Sequence, residues 1–272
     1  MAKQTQSGLL VEDIQILGHT RPITVRTYRR SAPVKAAPVI VYLHGGSFTG
    51  GSLDDADIAA ATIASSTPAW VVSVGYSLAP EFPFPNAPED AYRALVWAAN
   101  HARDHHADSR RIGIAGHDAG GNLATCVAAI ARDRGEVKVS AQALLAPLLD
   151  PSMTRLAESR NASESLDITA CASCYRAYLP TTMQRLHPYA APLESRRLQG
   201  LPPALIASVQ NDQLHVEAER YASELIAAGV PTEVTRYVNT SHTAVSTHPE
   251  ALADLAVFFQ RRLAKQVPER EF

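Results

Sequence analysis

The chain has 272 residues, 46% of them hydrophobic and 19% charged, with a formal net charge of −2. That is ordinary globular composition at a length that suits one α/β domain with a sizeable core. It argues against a basic nucleic-acid surface, a membrane span of ~20 apolar residues and, with three cysteines, a disulfide framework. The opening Met-Ala-Lys-Gln-Thr-Gln-Ser carries no signal-peptide apolar core, so a cytoplasmic chain is expected. Residues 1–20 precede the first strand of the pattern. Apolar, β-branched runs predict strands near 23–28, 38–43, 70–76, 111–115, 141–146, 203–209 and 233–238. Amphipathic stretches predict helices near 54–66, 88–102, 120–134, 168–178, 214–228 and 249–265. Ala91, Leu95, Ala98 and Ala99 share one helical face, and Gly229 punctuates the end of the 214–228 helix. Residues 150–195 carry no strand signal and break the alternation a second time. Strands alternating with helices point to a parallel sheet with crossover helices on its faces.

The strongest local signal is Gly116-His117-Asp118-Ala119-Gly120-Gly121-Asn122, which stands between the apolar run 111–115 and a helix. It has the glycine spacing of the G-x-S-x-G elbow, where a nucleophile sits on a strained strand-to-helix turn. Its tip residue is Asp118 rather than serine. Further blocks follow in a fixed order. They include His44-Gly45-Gly46-Ser47 after an apolar strand, Tyr76-Ser77-Leu78-Ala79-Pro80-Glu81, and His187-Pro188-Tyr189 with Ala191-Pro192-Leu193. Asp212 and His242 each stand in a loop after a C-terminal strand.

Together these blocks resemble the hormone-sensitive-lipase-like (GDXG) esterases over roughly residues 35–265. The resemblance implies a single α/β-hydrolase domain spanning 1–272. It would have a mostly parallel sheet of about eight strands flanked by helices, and a small cap built from about 1–20 and 150–195. The segment before His44 is short, so the N-terminal half of the cap reads as trimmed and the pocket as open, suited to small or medium esters. The order nucleophile, acid, histidine assigns catalytic positions to Asp118, Asp212 and His242. The backbone N–H groups of Gly45, Gly46 and Ala119 are expected to form an oxyanion hole, with His44, Ser47 and His117 bracing it. Tyr76, Glu81 and Asp90 match family blocks and are expected to brace loops.

Asp118 leaves the chemistry open. A carboxylate is a poor nucleophile toward an ester carbonyl, because the mixed anhydride reverts. One reading is therefore an esterase made weak by the replaced serine. Toward an sp³ carbon in a strained ring or bearing a leaving group, aspartate is effective. Haloalkane dehalogenase-like and epoxide hydrolase-like members of the wider fold carry aspartate there. The third reading is a catalytically silent small-molecule-binding protein. Two carboxylates facing His242 would favour its imidazolium, which cannot act as a base. Cys171 and Cys174 form C-x-x-C, read as two small residues one helical turn apart. No cofactor or metal is expected, and the partner is a small-molecule substrate, with a homodimer as an open assembly.

Overall fold

A computed structural model describes residues 3–4, 8–32, 34–154 and 168–265. Its strands are β1 Lys3–Gln4, β2 Leu9–Leu17, β3 Pro22–Arg30, β4 Ala37–Leu43, β5 Trp70–Gly75, β6 Ala107–His117, β7 Val139–Leu145, β8 Ala204–Val209 and β9 Thr232–Tyr237. They form one sheet in the order β1-β2-β3-β5-β4-β6-β7-β8-β9. The pairs β1–β2, β2–β3 and β3–β5 are antiparallel, and all others are parallel. Since β1 has only two residues, the sheet has the expected eight strands plus a short edge.

The helices are α1 Asp57–Ser66, α2 Asn86–His101, α3 Ala119–Arg134, α4 Ile168–Tyr178, α5 His215–Ala227 and α6 Pro249–Arg262. The period-2 pleat of β4 separates two cores. Val39, Val41 and Leu43 pack with the buried faces of α2, α3 and α5, represented by Leu95, Leu123 and Leu225. Ile40 and Tyr42 face the other way, into Ile63 of α1 and Leu255, Phe258 and Phe259 of α6. Of the expected stripe on α2, Ala91, Leu95 and Ala98 are buried, while Ala99 is half-buried.

The reading of residues 1–20 as a cap element needs correction. Leu9–Leu17 is a nine-residue strand paired in register with β3, from Leu9 opposite Arg30 to Leu17 opposite Pro22. Its pattern is broken by Glu12 and Asp13, which hides a strand whose stability comes from the neighbour it pairs with. Within 150–195, α4 begins and ends as the periodicity predicts. Its Tyr178 ring stacks on Phe48 at 4.0 Å between centroids, and Tyr175 lies 5.5 Å away. Residues 155–167 of that stretch lie outside the described residues.

The elbow forms because two glycines permit it. A Cβ on Gly116 would meet the Gly120 carbonyl oxygen at 2.1 Å, and one on Gly120 would meet the Leu43 carbonyl oxygen at 2.1 Å. Both obstacles are backbone, so side chains cannot relax around them. Gly120→Ala is expected to cost about 3 kcal/mol, the upper end of the overpacking range. Denaturant unfolding checks this, and a loss under ~1 kcal/mol would show that the elbow tolerates a methyl group.

Candidate active site

Four strands end at one place, as open α/β sheets require of a ligand site. β4 lies between β5 and β6, where the order of connection reverses, and leads into His44-Gly45-Gly46-Ser47. β6 leads to Asp118, β8 to Asp212 and β9 to His242. Asp118 has φ 56° and ψ −120°, a left-handed conformation that side-chain-bearing residues rarely adopt. This turn lifts its carboxylate over the sheet at the start of α3, and its backbone oxygen accepts from Gly121, Asn122 and Leu148.

The three expected catalytic positions converge. His242 Nδ1 donates to Asp212 Oδ2 at 2.7 Å, and Asp212 Oδ1 accepts from the Leu214 N–H at 3.1 Å. With Nδ1 bearing that proton, Nε2 faces Asp118, 3.4 Å from Oδ1. That distance makes an ion pair but is long for a hydrogen bond. The other carboxylate oxygen, Asp118 Oδ2, accepts from the Gly46 N–H at 2.8 Å and the Ser47 N–H at 2.7 Å. All three side chains are buried.

This geometry moves the expected anion-binding donors by one residue. Gly45 was expected as a donor and Ser47 as a brace, but the N–H groups that reach Asp118 are those of Gly46 and Ser47. The reason is steric. A Cβ on Gly45 would stand 2.7 Å from His117 Nδ1, so Gly45 makes room for that ring. Ser47 adopts φ 50°, which turns its N–H inward. Ala119, at the first turn of α3, is fully buried beside the carboxylate, with no bond from its N–H to Asp118.

The bracing residues hold the loops. His44 Nδ1 donates to the Gly45 carbonyl at 2.7 Å, and its ring stacks on Tyr76 at 4.1 Å. Tyr76 in turn donates to the His44 carbonyl at 2.8 Å. His117 Nε2 donates to the His242 carbonyl at 2.8 Å, so this neutral ring carries its proton on Nε2. Asp90 accepts from the His19 and Ser77 N–H groups.

Of the three buried histidines, burial lowers the pKa of His44 and His117, and the charge of His242 lowers His117 further. His242 goes the other way. Burial alone would lower it, but the carboxylates of Asp118 and Asp212 outweigh burial and push it up to about 10. Burial likewise works to raise Asp118, and His242 outweighs it, holding the carboxyl well below its usual range. An imidazolium–carboxylate pair is thus the resting state at neutral pH.

One contributor escaped the sequence reading. Glu217 on α5 is buried, and its Oε2 accepts from the N–H groups of Leu149 and Asp150 at 2.8 and 3.0 Å. It pins the segment after β7 that also reaches the Asp118 carbonyl through Leu148. Burial, with Asp150 nearby, pushes its carboxyl up to about 8. The signal was available: a carboxylate on the same stripe as Leu214, Ala218, Tyr221 and Leu225. Cys171 and Cys174 lie on α4 with free thiols. Among the described residues, no group of three or more His, Cys, Asp and Glu could hold a metal ion. None of the described helices is long and apolar enough to cross a membrane.

Strained elbow, paired N–H donors and an acid–histidine relay at the ends of parallel strands define the α/β-hydrolase class. A family model described as alpha/beta hydrolase fold matches residues 40–246, and the chain belongs to that family, among its hormone-sensitive-lipase-like esterases. The esterase LipI of Mycobacterium tuberculosis is 43% identical over 233 residues, covering 83% of this chain and 72% of that protein. An ethyl acetate hydrolase of Pseudomonas putida is 31% identical over 227 residues, covering 83% and 71%. The crystal structure of EstE1, a thermostable carboxylesterase from a metagenomic library, superposes with a TM-score of 0.86 at 35% identity, covering 94% of this chain and 90% of that one.

Proposed function

We propose that this chain is a carboxylic ester hydrolase for small to medium esters whose acyl transfer is held down by Asp118. The observation that carries the reading is the line from Asp212 through His242 to the elbow tip, ending beneath the N–H groups of Gly46 and Ser47. A serine at the tip would give its proton to Nε2, and the N–H pair would receive the oxyanion. With aspartate there, an anion already fills the N–H pair, and the imidazolium has no lone pair to act as base. The ester-hydrolysing relatives support the reaction class, and the ethyl acetate hydrolase supports short acyl groups.

Acyl-length specificity tests this reading in the Asp118→Ser variant. Its kcat/KM is expected to be highest for nitrophenyl acetate to hexanoate and at least ~10-fold lower for the laurate. A flat or rising series would overturn the small-ester assignment.

The pH dependence has a definite sign. Because the folded pKa of His242 lies above its ordinary 6.5, the pairing contributes stability that is fully present below 6.5 and is lost as pH rises through about 10. Neutral imidazole appears over the same window, so ester turnover by the chain as it stands is expected to climb toward pH 10. Asp118→Ser removes one of the two carboxylates, and the rising limb is expected to move down toward neutrality. Identical limbs in the two pH–rate profiles would show that Asp118 does not set the histidine's charge.

A further inference from the structure

We infer a second activity for this site: hydrolytic opening of epoxides, with Asp118 Oδ1 as an alkyl-accepting nucleophile. It stands beside the esterase reading and does not depend on it. The two oxygens of Asp118 are not equivalent. Oδ2 is occupied by two N–H donors, while Oδ1 is buried and accepts no hydrogen bond from the described residues. His242 Nε2 lies beside Oδ1 at 3.4 Å and is backed by Asp212. A carboxylate held by one oxygen, with the other bare and a proton donor alongside, is arranged to attack an sp³ carbon.

The steps balance with these groups alone. Oδ1 forms a bond to one ring carbon from behind, the ring C–O bond breaks, and its electron pair stays on oxygen as an alkoxide. Rotation about the opened C–C bond brings that oxygen back beside the new ester, where it takes the Nε2 proton. Tyr175 on α4 carries a buried hydroxyl with no hydrogen-bond partner among the described residues, and it feels the charge of Asp118. It is the donor available to the alkoxide as charge develops. Once esterified, Asp118 no longer carries the charge that kept His242 protonated. The neutral imidazole then takes a proton from water, which attacks Cγ of Asp118. The oxyanion forms on Oδ2, already seated between the N–H groups of Gly46 and Ser47. The Cγ–Oδ1 bond breaks, the departing diol oxygen takes the proton from Nε2, and Asp118 returns its acid proton to His242.

The same imidazolium that obstructs ester hydrolysis is therefore consumed usefully in ring opening. A halide leaving group needs no proton, so the resting charge state favours epoxides over alkyl halides.

The full-length chain is incubated with styrene oxide, 1,2-epoxyhexane and, for comparison, 1-bromohexane. Diol or alcohol is quantified, and a single turnover is run in ¹⁸O-water. Diol from an epoxide with ¹⁸O in the peptide containing Asp118 is the expected result. Asp118→Ser is expected to lose diol formation at least ~100-fold. Tyr175→Phe is expected to lower epoxide turnover while sparing nitrophenyl acetate hydrolysis measured in the Asp118→Ser background. No diol and no label from either epoxide would overturn the inference. So would label found only in the diol, or turnover of the bromide alone. Gain of ester hydrolysis by Asp118→Ser is scored separately, so the two activities fail independently.

Discussion

Asp118→Ser is expected to raise kcat for nitrophenyl acetate on the order of 10³-fold or more. Removing the nucleophile from a serine hydrolase costs on the order of 10⁶, and the remaining site retains ~10³–10⁴ over water. The rest of this site is in place: Asp212 orients His242 through a 2.7 Å bond, and two N–H donors point at one oxygen position. Serine would make three changes at once. It supplies an oxygen whose acyl ester is a stable intermediate. It vacates the N–H pair, which Oδ2 now fills, for the oxyanion of the substrate. It also removes one of the two charges that keep His242 protonated, so the gain is expected to be largest near neutral pH. Steady-state kinetics with a burst of nitrophenol, the mark of an accumulating acyl-enzyme, would check each point. Equal rates for the two proteins would overturn the view of Asp118 as a block on acyl transfer. Ligand stabilisation without turnover in either protein would instead favour a silent binding protein.

The second large effect is expected at the acid. In the Asp118→Ser background, Asp212→Asn is expected to lower kcat about 10⁴-fold, the size seen when the acid of such a relay is neutralised. Asp212 Oδ2 takes the proton on His242 Nδ1, while Oδ1 is held by the Leu214 N–H. An asparagine that keeps the Leu214 contact through its oxygen presents an NH₂ to Nδ1. The ring then needs its proton on Nε2, and Nε2 can no longer take one from serine. Folding should survive, since the buried contacts of α5 are untouched. The expected signature is therefore a fall in kcat with little change in KM. A loss below tenfold would mean that His242 is oriented by something else, for which its backbone bond to His117 is the candidate.

What the sequence determined by itself is what depends on neighbouring residues. Helix and strand periods are local, so α2, α4 and α5 lie within two residues of their predicted limits. The glycines of the elbow are also local demands, because the turn cannot close around a Cβ at 116 or 120. The positions of Asp118, Asp212 and His242 were legible from their order and from the loops that carry them. Tertiary structure decided the rest. Leu9–Leu17 becomes a strand because β3 offers it an edge, which a pattern interrupted by Glu12 and Asp13 does not announce. The donors are Gly46 and Ser47, rather than Gly45, because the His117 ring occupies the space beside Gly45. The charge on His242 depends on two carboxylates brought from strands far apart in the chain to 2.7 and 3.4 Å from its ring. Electrostatic energy follows distance and burial, and only the folded chain sets those for residues 94 or 30 positions apart in sequence, as Asp118 and Asp212 are from His242 (242 − 118 and 242 − 212 give 124 and 30, and 212 − 118 gives 94).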